Sequence, residues 1–114
     1  ELNIPMSILI SSSSASASEI LTGALKDYER ATVIGTKSFG KGIVQNLFTF
    51  NDGSGMTMTV SKYFTPNGTS IHGVGIEPNI TVELPEEYKG SYVSEIPRDK
   101  DTQLNKAIEV LKNK

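Results

Sequence analysis

An α/β fold is predicted for this 114-residue chain: a βαβ unit, then a β-hairpin, an irregular loop segment and a C-terminal helix. Three features carry the prediction. Two short apolar runs of strand type flank a stretch with helical periodicity, a turn-rich pentapeptide separates two further strand-like runs, and the last stretch repeats its apolar residues at helical spacing. Hydrophobic residues at 37% and charged residues at 21% fit an ordinary globular chain. A chain of this length buries roughly two-thirds of its unfolded surface and makes one domain at most.

The first strand is the apolar run from Ile4 to Ile10, which passes directly into the small-residue tract Ser11 to Ser18. A helix follows, because Ile20, Leu21, Ala24, Leu25 and Tyr28 fall on one face of a 3.6-residue period. Glu19 in its first turn and Arg30 near its end suit the helix dipole. Ala31 to Ile34 is a second buried strand ending at Gly35, which completes the βαβ unit. Gly35 to Gly42 is a glycine-punctuated loop. Ile43 to Phe50 and Met56 to Tyr63 then flank Asn51-Asp-Gly-Ser-Gly55, a hairpin signal. Between Thr65 and Pro78, three glycines and two prolines predict an irregular surface segment, and Ile80 to Leu84 a short strand. Asp101 or Thr102 caps a final helix whose Leu104, Ala107, Ile108 and Leu111 share one face.

Composition excludes several chemistries. With no cysteine there are no disulfides, thiol nucleophiles or cysteine zinc sites. A net charge of −2 without a basic run gives no footprint for nucleic acid or an anionic membrane. The apolar run from Ile4 to Ile10 is too short for a transmembrane helix or a complete signal peptide. The chain opens on Glu1 instead of Met, so it is expected to be an excised part of a longer protein, with any targeting segment or membrane anchor upstream. The Asn-x-Thr triplets at Asn67 and Asn79 are read as chance.

Two tracts are candidates for chemistry. By composition alone Ser11 to Ser18 is a flexible linker. Its position argues against that, because it joins a buried strand to an amphipathic helix inside one βαβ unit. A strand-to-helix turn of small residues can expose a nucleophilic hydroxyl beside free backbone N–H groups, and the helix N-terminus adds a partial positive charge for an oxyanion. Placement alone does not select the serine. The second tract, Gly35-Thr-Lys-Ser-Phe-Gly-Lys41-Gly42, imitates a phosphate-binding loop, but Gly42 stands where Ser or Thr must hold magnesium, and a strand follows in place of a helix. No nucleotide site is expected.

A reactive serine needs a base. His72, a carboxylate or a neutral lysine are the options. His72 lies among turn residues and reads as solvent-facing. Lys41 is the better candidate because Gly40 and Gly42 let its backbone approach an active centre closely. A lysine base must be desolvated until an ordinary pKa of about 10.4 falls by roughly three units. Lys37 lacks the flanking glycines and is expected to be exposed.

The runs Ser14-Ala-Ser-Ala-Ser-Glu-Ile20, Gly23-Ala-Leu-Lys-Asp27 and Phe39-Gly-Lys-Gly-Ile-Val-Gln45 resemble the catalytic signature of carboxyl-terminal processing proteases, also called tail-specific proteases. The resemblance continues through Tyr63-Phe-Thr-Pro-Asn-Gly68 and Gly73-Val-Gly-Ile-Glu-Pro78 and covers nearly the whole chain. It implies Ser16 as nucleophile, Lys41 as general base, Gln45 as the residue orienting the lysine amine, and the backbone N–H of Ala17 as one oxyanion donor. The other donor is implied upstream. No cofactor or metal is implied. The family also has an aspartate at Asp27. Eleven helical residues from Ser16 rise roughly 16 Å at about 1.5 Å each, so a structural role, with Arg30 or a loop, is expected instead.

By the same resemblance, residues 1–114 are the C-terminal portion of a Ser/Lys protease catalytic domain, a partial crotonase-like core without the PDZ domain or the N-terminal part of the core. The implied activity is a serine endopeptidase cleaving protein or peptide substrates near their C-termini, outside the cytoplasm: periplasm, cell envelope or secreted. The rival reading is a non-catalytic fragment that associates with itself as a homo-oligomer through exposed sheet edges and core surface.

Overall fold

The computed structural model describes residues 3–113. Strand β1 (Ser7–Ile10) leads through the serine tract into helix α1 (Ala17–Asp27), which returns to strand β2 (Thr32–Gly35). β1 and β2 pair in parallel, with Ser7 opposite Thr32 and Ile10 opposite Gly35. The βαβ unit is therefore present as the sequence pattern predicts. After the hairpin of β3 (Ile43–Thr49) and β4 (Gly55–Lys62), strand β5 (Ile80–Thr81) adds in parallel to the other side of β2, giving the order β1-β2-β5. Two short 3-10 turns, Glu86–Tyr88 and Val93–Glu95, lead to helix α2 (Thr102–Lys112), which packs on β1 and β2. Asp101 is its cap, accepting from the Leu104 N–H at 2.9 Å.

The core sits on β2. Val33 and Ile34 are successive strand residues, so their side chains point to opposite faces, and both are fully buried. β2 is covered on both sides, as a central parallel strand requires. Val33 packs with Ile10, Ile71 and Ile76, with Ile8 and Tyr63 at the margin. Burying each such side chain contributes about 1.5–3 kcal/mol. Ile71 and Ile76 correct the sequence expectation for Thr65 to Pro78. The segment is irregular, but it is no surface loop: turns at both ends drive two isoleucines into the core, at 1% and 5% exposure. Glycines and prolines set the backbone there, while burial is decided by the two apolar residues between them.

The hairpin is different. Its strands pair in antiparallel register from Ile43 opposite Lys62 to Thr49 opposite Gly55, with a bulge beside Gln45 that leaves Val60 over. Phe48 opposes Met56, and Asn46 opposes Met58, so these side chains share one face. Phe48, Met56 and Met58 are all exposed there. Projection of the hairpin makes the chain elongated, with a radius of gyration of 17.1 Å, against about 13 Å for a compact domain of this length.

β2 ends at Gly35 with φ +124°, where a Cβ would stand 2.0 Å from the Ile10 carbonyl oxygen, the acceptor for the Thr36 N–H. Only glycine lets β2 leave the sheet across the end of β1. In the hairpin loop Gly53 has φ +85° and nothing within 4 Å of a Cβ. In urea unfolding, Gly35→Ala is expected to cost about 3 kcal/mol or more, and Gly53→Ala about 1 kcal/mol. Equal losses would refute the steric account of Gly35.

Candidate active site

The tract after β1 is a hydrogen-bonded turn and not a linker. The Ser14 N–H donates to the Ser11 carbonyl at 2.9 Å, and the Ser14 hydroxyl accepts from the Ser11 N–H at 3.1 Å. Ser16 is the N-cap of α1, with φ 57° and ψ −119°. A left-handed non-glycine residue at a strand-to-helix turn stores about 1–3 kcal/mol of strain, which the surroundings must hold. The Ser16 carbonyl starts the helix by accepting from Glu19 and Ile20. Its side chain makes no capping hydrogen bond, so the hydroxyl is uncommitted. Among the described residues the Ala17 N–H donates to no group either. A free hydroxyl therefore stands beside a free amide at a helix N-terminus.

What holds this turn is Glu19. Its carboxylate is 1% exposed and accepts four hydrogen bonds. Oε2 takes the Ser16 N–H at 2.9 Å and the Lys41 N–H at 2.8 Å. Oε1 takes the Ser38 hydroxyl at 2.5 Å and the Gly40 N–H at 2.6 Å. Burial alone pushes the Glu19 carboxyl up, and the hydrogen bonds from Ser38, Gly40, Lys41 and Ser16 outweigh it, holding the group below the ordinary glutamate range. From the sequence pattern, Glu19 has only a favourable place in the first helical turn. The Ser-x-x-Glu spacing of a capping box, Ser16 to Glu19, is the signal that could have found the Ser16 bond; nothing local announces the bonds to residues 38, 40 and 41.

Lys41 lies in the loop after β2, tied to the serine turn a second time by the Phe39 N–H donating to the Ser14 carbonyl at 2.9 Å. The flanking glycines serve close backbone approach, as their spacing suggests, but the approaching group is the Ile71–Gly75 turn. A Cβ on Gly42 would lie 2.5 Å from the His72 nitrogen, and one on Gly40 3.0 Å from the Gly75 nitrogen. The Lys41 residue is exposed, so residues 3–113 do not supply the desolvation that a lysine base needs. Gln45 is exposed on β3 beside the bulge. Among the described residues no hydrogen bond links the side chains of Ser16, Lys41 and Gln45. The structure joins Ser16 and Lys41 through their backbones, at one carboxylate oxygen. His72 is exposed, and Lys37 pairs with Glu77 at 2.9 Å on the surface. No group of histidine and carboxylate side chains among the described residues has the arrangement of a metal site.

Asp27, at the far end of α1, takes the loop option of the sequence reading. It accepts the Asn67 N–H at 2.9 Å. The Thr65 hydroxyl and the Asn67 N–H hold its carboxyl below the usual aspartate range. A lowered folded-state pKa contributes stability that is complete above the unfolded value, about 3.9, and lost as pH falls through the folded one. Amide-exchange protection at Asn67 is expected to fall over that acid window and to be low at every pH in Asp27→Ala. Protection unchanged by either would remove Asp27 as the pin of this turn.

Comparison with known proteins bears on these same residues. Residues 1–82 match the model of peptidase family S41. The carboxy-terminal-processing protease of Bartonella bacilliformis is 54% identical over 88 residues, covering 75% of this chain and 20% of that protein. The carboxyl-terminal-processing protease of Synechocystis sp. is 45% identical over 107 residues, covering 94% of this chain and 24% of that protein. The chain thus spans about a fifth to a quarter of the length of these relatives. Among solved structures, the photosystem II D1 C-terminal processing protease superposes with a TM-score of 0.67 at 40% identity, over 75% of this chain and 23% of that one. The tricorn protease shares the fold at 21% identity and a TM-score of 0.70, over 96% of this chain and 10% of its own. No helix among the described residues is long and apolar enough to cross a membrane. Serine turn, lysine loop and the carboxylate between them all lie inside the matched stretch, and the chain belongs to peptidase family S41.

Proposed function

We propose that this chain is the C-terminal portion of the catalytic domain of a serine endopeptidase that cleaves protein substrates near their C-termini through a Ser16/Lys41 dyad. The observation that carries the reading is the shared oxygen of Glu19, which seats the backbone of the strained serine turn against that of the lysine loop. In the reaction, neutral Lys41 takes the proton of the Ser16 hydroxyl as the oxygen attacks the substrate carbonyl carbon. The carbonyl oxygen becomes an oxyanion, and the uncommitted Ala17 N–H is one donor for it. Collapse breaks the C–N bond, and the lysine ammonium returns its proton to the departing amine. Water then loses a proton to Lys41 and attacks the acyl group. The Ser16–acyl bond breaks, and Ser16 recovers its proton. Gln45 orients the lysine amine.

Exposure of Lys41 and Gln45 supports a second point: the desolvating cover of the dyad comes from the rest of the longer protein. The isolated chain is then non-catalytic, and the open apolar face of the hairpin favours its association with itself. Peptides and proteins are the partners, with no part for nucleotide or nucleic acid. The family resemblance supports action outside the cytoplasm.

In the complete protease, Ser16→Ala and Lys41→Ala are each expected to reduce hydrolysis of a fluorogenic peptide with a free carboxyl terminus by about 10³-fold or more. Gln45→Ala should cost about 10-fold to 100-fold, and His72→Ala nothing. Full activity of Lys41→Ala would sink the dyad. The isolated chain should fail to react with a fluorophosphonate at Ser16; labelling at the rate of the complete protease would show that no further cover is needed.

A further inference from the structure

We infer that Glu19 is a positioning residue of the proteolytic reaction, its carboxylate fixing the nucleophile turn and the base loop at one spacing. The inference rests on the dyad reading above. Its basis is the chemistry of the four donors. A carboxylate has two oxygens and about four lone-pair directions, and here every one is used. Three donors, the N–H groups of Ser16, Gly40 and Lys41, are backbone groups that cannot turn away. The fourth, the Ser38 hydroxyl, also accepts the Ile76 N–H at 2.7 Å, which extends the network into the core segment Gly75–Ile76.

No other side chain of similar size meets these demands. In Glu19→Gln one oxygen becomes an NH₂ group. Placed at the Oε2 position, it confronts the N–H groups of both Ser16 and Lys41; placed at Oε1, it confronts that of Gly40. Either way at least one backbone N–H of the network loses its acceptor and meets a repelling donor. Aspartate is one methylene shorter and cannot reach both arms. The fold has separate support. The Phe39–Ser14 backbone bond, the β1–β2 ladder and the isoleucine cluster do not involve Glu19. Loss of the carboxylate therefore loosens the relative placement of two backbones that a folded chain still brings near one another. A misplacement of about 1 Å between reacting groups costs on the order of 100-fold in rate.

The test measures kcat and KM separately on the complete protease, with a fluorogenic peptide that has a free carboxyl terminus, and follows folding by circular dichroism and thermal melting. Glu19→Gln is expected to keep the native spectrum, lower kcat about 100-fold, and leave KM within about threefold. The milder Ser38→Ala removes one donor, keeps all three backbone bonds, and is expected to lower kcat about 10-fold at unchanged KM. A folded Glu19→Gln protein with kcat within threefold of the parent overturns the inference. Should Glu19→Gln not fold, Ser38→Ala decides: kcat within twofold overturns it, and a 10-fold loss in a folded protein supports it. A raised KM with unchanged kcat in either folded variant also overturns it, since that marks a binding role. Ser16→Ala and Lys41→Ala run beside these, and activity surviving there indicts the dyad reading itself.

Discussion

One buried carboxylate holds the serine turn and the lysine loop together. A glutamate at 1% exposure is tolerable only because its desolvation is answered by four hydrogen bonds. Three of the donors belong to the backbone, so the arrangement is rigid in a way that a pair of flexible side chains cannot be. The strained φ of Ser16, the turn at Gly40 and the inward position of Ser38 are all conditions of the same contact. The relation runs both ways, because without those donors the charge could not stay buried.

The sheet supplies the frame for that contact. Parallel pairing of β1 and β2 brings the ends of both strands to the same edge, so the serine tract leaving Ile10 and the loop leaving Gly35 start side by side. This is the usual place for chemistry in an open parallel sheet, outside the carboxyl ends of the strands. α1 turns away from that edge at Ser16 and presents Glu19 from its first turn, toward the loop. Packing of Val33 and Ile34 on opposite faces of β2 keeps the strand from shifting, and with it the loop that carries Lys41.

Elements with a clear period were legible in the sequence. α1 and α2 follow from apolar spacing and capping residues, the hairpin from its turn pentapeptide, and β1 and β2 from short apolar runs, with ends displaced by up to three residues. The core role of Ile71 and Ile76 was hidden, because isolated apolar residues between glycines have no period to betray them. The pair of 3-10 turns before α2 went unseen for the same reason. Ser16, Lys41 and Gln45 were named through motif resemblance, whereas the bonds from Glu19 to residues 38 and 40 reach across 19 and 21 positions and leave no local trace. A glutamate in a first helical turn looks like dipole compensation from the sequence, and only the fold shows that it faces inward.

The contrast between the hairpin and the parallel sheet also orders events in time. β3 and β4 are joined by a five-residue loop, so their pairing needs little loop closure and belongs to the microsecond class of hairpin formation. The clamp is non-local: it joins residues 21 and 22 positions apart, on a sheet whose neighbouring strands are linked by a whole helix or a whole hairpin. Contacts of that kind form late, after the entropy of closing the long loops has been met. Sequence separation alone therefore sets the expected order, with the exposed arm formed first and the serine–lysine junction last.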